Sequence, residues 1–322
     1  MTDTTIDPGM LSFYKILSAQ TPPGSEHWPL EQQRAAWNTV CAAFRAPRPD
    51  DIDVTDTVAN GVHIRVFKPK SQTLKPGVIY SHGGGWVLGG PETHDDMCAE
   101  LASGAECVVV LTDYRLAPEH WHPAQLEDSL KVWRWMREQG HLHGINPDHI
   151  IAAGDSAGGQ MSVALALTLR DLGLPQVRAM ALLYPVLGAN METASYIRNA
   201  NAPCLTREEM RFFLTSFLGP EGSANWQDEK AVPLMAASVE GLPPAYITVA
   251  GHDPLHDDGV MFHERLLAAG IPSELRREPR LAHSYMRARH HSAIAMAGFL
   301  AIVEALRGFA EGTSSALRAP SP

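Results

Sequence analysis

The chain has 322 residues, 45% of them hydrophobic and 19% charged, a balance that fits a folded globular protein and excludes a disordered one. Lysine and arginine total 26 against 36 aspartates and glutamates, a formal charge of −10. That sign repels nucleic acid and anionic membranes, and no basic tract runs against it.

At roughly 150 residues per domain, this length suggests one large domain or one domain with an insertion. Residues 1–10 are acidic and carry no basic segment feeding an apolar run, so no secretory signal is expected. No run approaches the about 18 uninterrupted apolar residues that span a bilayer, so stable membrane insertion is not expected. Residues 1–50 form an N-terminal arm around one helical stripe, Leu30–Phe44. From 51 to 187, short apolar runs alternate with helical patterns. The predicted strands are Val62–Phe67, Gly77–Ser81, Val108–Thr112, Ile150–Ala153 and Met180–Tyr184, with helices at Thr93–Ala102, Gln125–Gln139 and Gly158–Leu172. Runs apolar on both faces and separated by crossover helices describe a parallel sheet covered on both sides.

Residues 188–242 break the rhythm, with Arg207–Leu218 as their clearest helix. The rhythm resumes over 243–309 with strand Tyr246–Ala250, helix Val260–Ala269, strand Ser273–Glu278 and helix Ser292–Phe309. The remainder, 310–322, reads as a flexible tail. The fold class is therefore α/β, with a cap insertion and an N-terminal arm that could meet as one lid. The four cysteines, Cys41, Cys98, Cys107 and Cys204, lie far apart without ligand spacing. They read as free thiols in a reducing cytoplasm, with no metal site.

Gly154-Asp155-Ser156-Ala157-Gly158 is a G-x-S-x-G sequence between an apolar strand and a helix, the setting of a nucleophile elbow. The turn is tight enough that the residues two positions either side of the serine must lack Cβ atoms. Ser156 would then stand above the sheet at a helix N-terminus. Earlier in the chain, His82-Gly83-Gly84-Gly85-Trp86 follows strand Gly77–Ser81. Its glycines free the backbone to aim N–H groups into one cavity, as an oxyanion hole requires. Gly83, Gly84, Gly85 and Ala157 are the candidate contributors, and His82 is expected to hold the loop by hydrogen bonding.

This type of sheet orders its catalytic groups serine, acid, histidine. Asp253 follows the buried run Tyr246–Ala250, and Pro254 keeps it off a helix. Asp257 and Asp258 fall at the next helix start, where they would favour its dipole. Among 15 histidines, His283 lies one helix and one strand beyond the acid, in the loop able to return to Ser156. His290 and His291 read as surface at the last helix, and His120, His122, His141 and His143 as surface turns. His252, His256 and His263 lie too close to the acid. The expected chemistry is acyl transfer through Ser156, His283 and Asp253, without a metal or organic cofactor.

Four segments together resemble the hormone-sensitive-lipase-like esterases (bacterial family IV) of the α/β-hydrolase fold. They are His82–Trp86, Asp113-Tyr114-Arg115-Leu116-Ala117-Pro118-Glu119-His120, Gly154–Gly159 and Asp253-Pro254-Leu255-His256-Asp257-Asp258-Gly259. The resemblance covers about residues 50 to 305. It implies a carboxylesterase acting on short acyl esters, a lid made of the arm and the insertion, and a bracing role for Asp113–Glu119. It also makes a homodimer plausible, through the edge near Ser273–Glu278. The chain departs from the usual pattern at His283-Ser284-Tyr285, where glycine and an aromatic more often follow the histidine, and at His256.

Trp86, Asp155, Tyr184, Phe212, Phe213 and Leu255, with Met210, are candidate substrate-pocket residues. Two other functions stay open. Formamidases of related fold use a similar glycine loop, so amide, formamide or acetyl-group hydrolysis is one. A ligand-binding role is the other, since plant gibberellin receptors resemble this family but lack the catalytic histidine, which is present here as His283.

Overall fold

The computed structural model describes residues 5–22, 24–71 and 73–314. The N-terminal arm holds two helices, α1 (Pro8–Gln20) and α2 (Leu30–Ala43). A hairpin follows, β1 (Ile52–Ala59) and β2 (Val62–Pro69), and then β3 (Lys75–Ser81), α3 (Pro91–Ala105), β4 (Val108–Thr112), α4 (Ala124–Gln139) and β5 (Ile145–Asp155). The chain continues through α5 (Ala157–Asp171), β6 (Met180–Leu183), α6 (Ala194–Arg198) and α7 (Arg207–Leu218). It ends with β7 (Ala245–His252), α8 (His256–Ala268), β8 (Ser273–Ala282) and α9 (Ala293–Glu311).

The strands form one sheet in the order β1-β2-β4-β3-β5-β6-β7-β8. β2 pairs antiparallel with both β1 and β4, and all pairings from β4 through β8 are parallel. Strand alternation divides the core between two faces. Val78, Tyr80, Val109, Leu111, Ile151, Ala153, Ala181 and Leu183 meet α3 and α9 on one side. Ile79, Val108, Val110, Ile150, Ala152, Met180 and Leu182 meet α4, α5 and α8 on the other. Both faces are buried, which is why these strands read as continuous apolar runs.

β1 and α1 were not expected. β1 is the outermost strand and buries only Ile52 and Ala59 fully, so its solvated middle leaves no apolar run to detect. The Asn60-Gly61 turn that closes the hairpin has both φ angles positive, at 47° and 89°, and is the sequence signal for it. α1 opens on Asp7, whose side chain accepts from Gly9 N, with Pro8 in the first turn; that pairing was legible as a helix start.

α9 is long and apolar enough to cross a bilayer by length and composition. Phe299, Ile302, Val303 and Leu306 are nevertheless buried in the core, and Val303 lies so close to Gly104 of α3 that a Cβ there would stand 2.7 Å from it. The helix runs through Glu311, beyond the expected start of the tail at 310, and residues 315–322 lie outside the described region.

Candidate active site

β5 ends on Asp155 and α5 begins at Ala157, leaving Ser156 in the turn at φ 55°, ψ −118°. A Cβ on Gly158 would stand 1.8 Å from Ser81 O, and one on Gly154 would stand 2.4 Å from the Gly158 carbonyl. Both positions therefore require glycine, and the backbone N–H of Ser156 is tied to Leu183 O at 2.8 Å.

The loop after β7 and the loop after β8 bring two further groups to this serine. His283 Nε2 lies 3.0 Å from Ser156 Oγ, and His283 Nδ1 lies 2.7 Å from Asp253 Oδ2. The other Asp253 oxygen accepts from Leu255 N at 2.9 Å, and Asn199 Nδ2 holds the Asp253 carbonyl at 2.8 Å. Asp253 is fully buried and His283 nearly so. The arrangement can move a proton from the serine to an imidazole whose far nitrogen is held as a donor.

Gly84 and Gly85 face the same space, and neither they nor Ala157 donates a backbone hydrogen bond among the described residues. Gly83 differs from expectation: its N–H donates to Asp155 Oδ1 at 3.0 Å, so it anchors the loop and is not free to meet an oxyanion. His82 is buried, with Nδ1 2.9 Å from Gly83 O. Burial and the neighbouring His94 push its pKa down to about 3, so the ring is neutral. Tyr114 stacks on it at 4.2 Å and donates to its carbonyl. Glu119 pairs with Arg34 of α2 at 2.7 Å. The Asp113–Glu119 segment thus braces the glycine loop and ties the N-terminal arm to it.

A cavity of about 250 Å³ opens on Ser156 and His283. Tyr14, Leu17 and Trp37 from the arm form one side, and Glu209, Met210, Phe212 and Phe213 of α7 form the other. Asp155 also reaches it. Trp86, Tyr184 and Leu255 do not line it, each being buried elsewhere. Trp86 stacks on Phe217 at 4.0 Å and donates to Gln160 Oε1. Tyr184 packs edge-on against His283, and Leu255 joins the apolar cluster beneath α7.

His122 is also not the surface residue expected, being buried with Nε2 2.9 Å from Asp228 Oδ2. Asp258 does more than favour a helix start. It is buried and accepts from Leu187 N and Gly188 N at 2.9 and 2.8 Å, fastening the first residues of the insertion.

Burial opposes the charge of Asp155, but its surroundings, Arg287 and the Tyr80 hydroxyl among them, outweigh it and hold the carboxyl below the usual range. Burial raises Glu209, which caps α7 through Thr206. His94, Arg287 and Glu209 escaped the sequence reading, since no motif marks them. Among the described residues no group of three or more His, Cys, Asp or Glu side chains could hold a metal ion.

A family profile described as alpha/beta hydrolase fold matches residues 78–287. Carboxylesterase NlhH of Mycobacterium tuberculosis is 41% identical over 227 residues, covering 70% of this chain and 71% of that protein. The rabbit (Oryctolagus cuniculus) arylacetamide deacetylase is 30% identical, over 78% of this chain and 77% of its own. Among solved structures, a thermostable esterase from Pseudomonas putida superposes with a TM-score of 0.89 at 28% identity, covering 96% of this chain and 99% of that one.

Proposed function

The chain belongs to the hormone-sensitive-lipase-like carboxylesterases of the α/β-hydrolase superfamily and hydrolyses carboxylic esters, and from that premise we propose that Ser156 is its nucleophile, His283 its base and Asp253 the acid that orients the base. The observation that carries this is the continuous contact from Ser156 Oγ through His283 to Asp253, at 3.0 and 2.7 Å.

Ser156 Oγ attacks the acyl carbon as His283 Nε2 takes its proton. Asp253 keeps the remaining imidazole proton on Nδ1 and stabilises the imidazolium. The oxyanion is met by the N–H groups of Gly84, Gly85 and Ala157, the last at the start of α5 where the helix dipole adds to it. His283 returns the proton to the leaving alcohol, and water repeats the sequence on the acyl-enzyme. The arm (1–50) and the insertion (188–242) act as the cap, which is supported by both contributing walls to the cavity.

The likeness to this family, rather than the cavity volume, supports short acyl chains, up to about six carbons. Hydrolysis of para-nitrophenyl esters from C2 to C16 tests this, with Ser156→Ala as control. Short-chain cleavage lost in the variant is the expected result. Faster turnover of C12 or C16 esters overturns the chain-length reading, and activity surviving in Ser156→Ala overturns the mechanism. Amide hydrolysis is a second reading, favoured by the likeness to an arylacetamide deacetylase; anilides run beside the esters separate the two.

Four free cysteines support a reducing compartment. A homodimer through β8 is supported by the position of that strand at the sheet edge; sedimentation at the 35.1 kDa of one chain removes it.

A further inference from the structure

The loop that carries His283 also delivers a cation into the interior. Arg287, in the turn Tyr285–Ala288, is 5% exposed. Its Nη1 donates to Thr93 O at 2.7 Å, its Nη2 approaches His94 Nε2 at 3.0 Å, and its guanidinium lies 4.9 Å from the centre of the Trp37 ring. It thereby touches both α3 and the cavity-lining α2.

A guanidinium only donates. The His94 Nε2 it approaches must therefore present a lone pair, which places the ring proton on Nδ1, 2.8 Å from Thr93 Oγ1. Asp155 Oδ1 lies 3.2 Å from the same Nε2, but with that lone pair turned to Arg287 no proton lies between them, and His94 does not donate to the carboxylate. Asp155 accepts from Tyr80 Oη at 2.9 Å and from Gly83 N at 3.0 Å. Among the described residues no lysine or arginine makes a direct ion pair with this carboxylate, so the buried cation serving it is Arg287, one imidazole away. In so dry a setting a charge at that separation is weakly screened. The row from Arg287 through His94 and Asp155 to Gly83 joins the base loop, α3, the residue before the nucleophile and the oxyanion loop.

We infer that Arg287 is a positioning residue for ester hydrolysis: held in place by Thr93 O and His94 Nε2, its charge keeps Asp155 in place as the acceptor of the Gly83 N–H and so holds the Gly84 and Gly85 donors in register with Ser156. This rests on the reading above, in which those donors serve the oxyanion. A plain structural bolt would lower stability without changing how the site binds a transition state. A positioning role lowers kcat and transition-state affinity together.

The test compares Arg287→Met, Arg287→Lys, His94→Phe and His94→Gln with the wild type, using para-nitrophenyl butyrate kinetics and inhibition by a trifluoromethyl ketone that forms a tetrahedral adduct on the serine. Arg287→Met is expected to lower kcat about 10- to 100-fold, below the loss from deleting an oxyanion donor outright. KM should stay within about threefold, and ketone affinity should fall in proportion to kcat. Lysine at 287 keeps the charge and should recover much of the loss. Glutamine at 94 can still accept from Arg287 and hold it in place, so it should stay close to wild type, whereas His94→Phe should behave like Arg287→Met.

A folded Arg287→Met enzyme with wild-type kcat and ketone affinity, or one altered in KM or melting temperature alone, overturns the inference. If that variant does not fold, the His94 pair decides, and equal kcat for phenylalanine and glutamine overturns it equally. Wild-type cleavage that disappears in Ser156→Ala separates this inference from the reading beneath it.

Discussion

Phe213 of α7 rests directly on Gly85 of the oxyanion loop: a Cβ built on the glycine would stand 2.3 Å from the ring. Gly85 also sits at φ +59°, where a side chain is strained. α7 is thus packed against the loop of the candidate oxyanion donors, and it walls the cavity onto which Ser156 opens.

Gly85→Ala must move either the ring or the loop, and the loop carries the donors. The expected result is a fall in kcat of about 10²- to 10³-fold, comparable with loss of an oxyanion donor, with a folded protein by circular dichroism. Phe213→Ala should relieve the same contact and enlarge the cavity, moving the preferred acyl chain upward by about two carbons or more. An unchanged chain-length profile would show that Phe213 does not bound the acyl side.

Asp253→Asn preserves the shape of the acid loop but can donate to His283 Nδ1, which favours the wrong tautomer. A loss of about 10⁴-fold in kcat is expected, without a matching change in KM, since Asp253 is fully buried and is not among the residues lining the cavity. Steady-state kinetics on one short ester checks it, and retention of more than a tenth of wild-type kcat would remove Asp253 from its assigned role.

Asp258 supplies a pH-dependent term in stability. Burial raises its carboxyl to about 7, helped by the charges of Asp253 and Asp257 and resisted by the N–H groups of Leu187 and Gly188. In the unfolded chain an aspartate titrates near about 4. Between about pH 4 and 7 the native state therefore holds a proton that the unfolded state has released, so this term weakens the fold as pH rises through that window and is constant above it. Asp258→Asn does not titrate and keeps an oxygen acceptor. Its melting temperature relative to wild type should be higher at pH 8 than at pH 5. A difference that does not change with pH would refute the shift.

The parallel strands, and the segments that bring Ser156, Asp253 and His283 together, could be read from the linear chain because local rules govern them. β4 and the inner half of β5 are buried on both faces, so burial writes a continuous apolar run. Gly154 and Gly158 are forced by contacts within a few residues of Ser156 and with the strand beside it. The order serine, acid, histidine follows from strand succession. β1, half solvated at the edge, wrote no such run and escaped notice.

What only the tertiary structure decided concerns groups far apart in sequence. Trp86, read as a pocket residue beside the glycine loop, is turned away and stacked on Phe217 from α7. Gly83 lies in the same glycine run as Gly84 and Gly85, but its N–H is taken by Asp155, 72 residues later. Arg287 meets His94 across 193 residues. Residue type and spacing determine which atoms can react and where a strand must turn. Which side chain faces the cavity, and which buried charge answers another, depends on how the arm, the insertion and the sheet pack together, because burial and electrostatics act through space rather than along the chain.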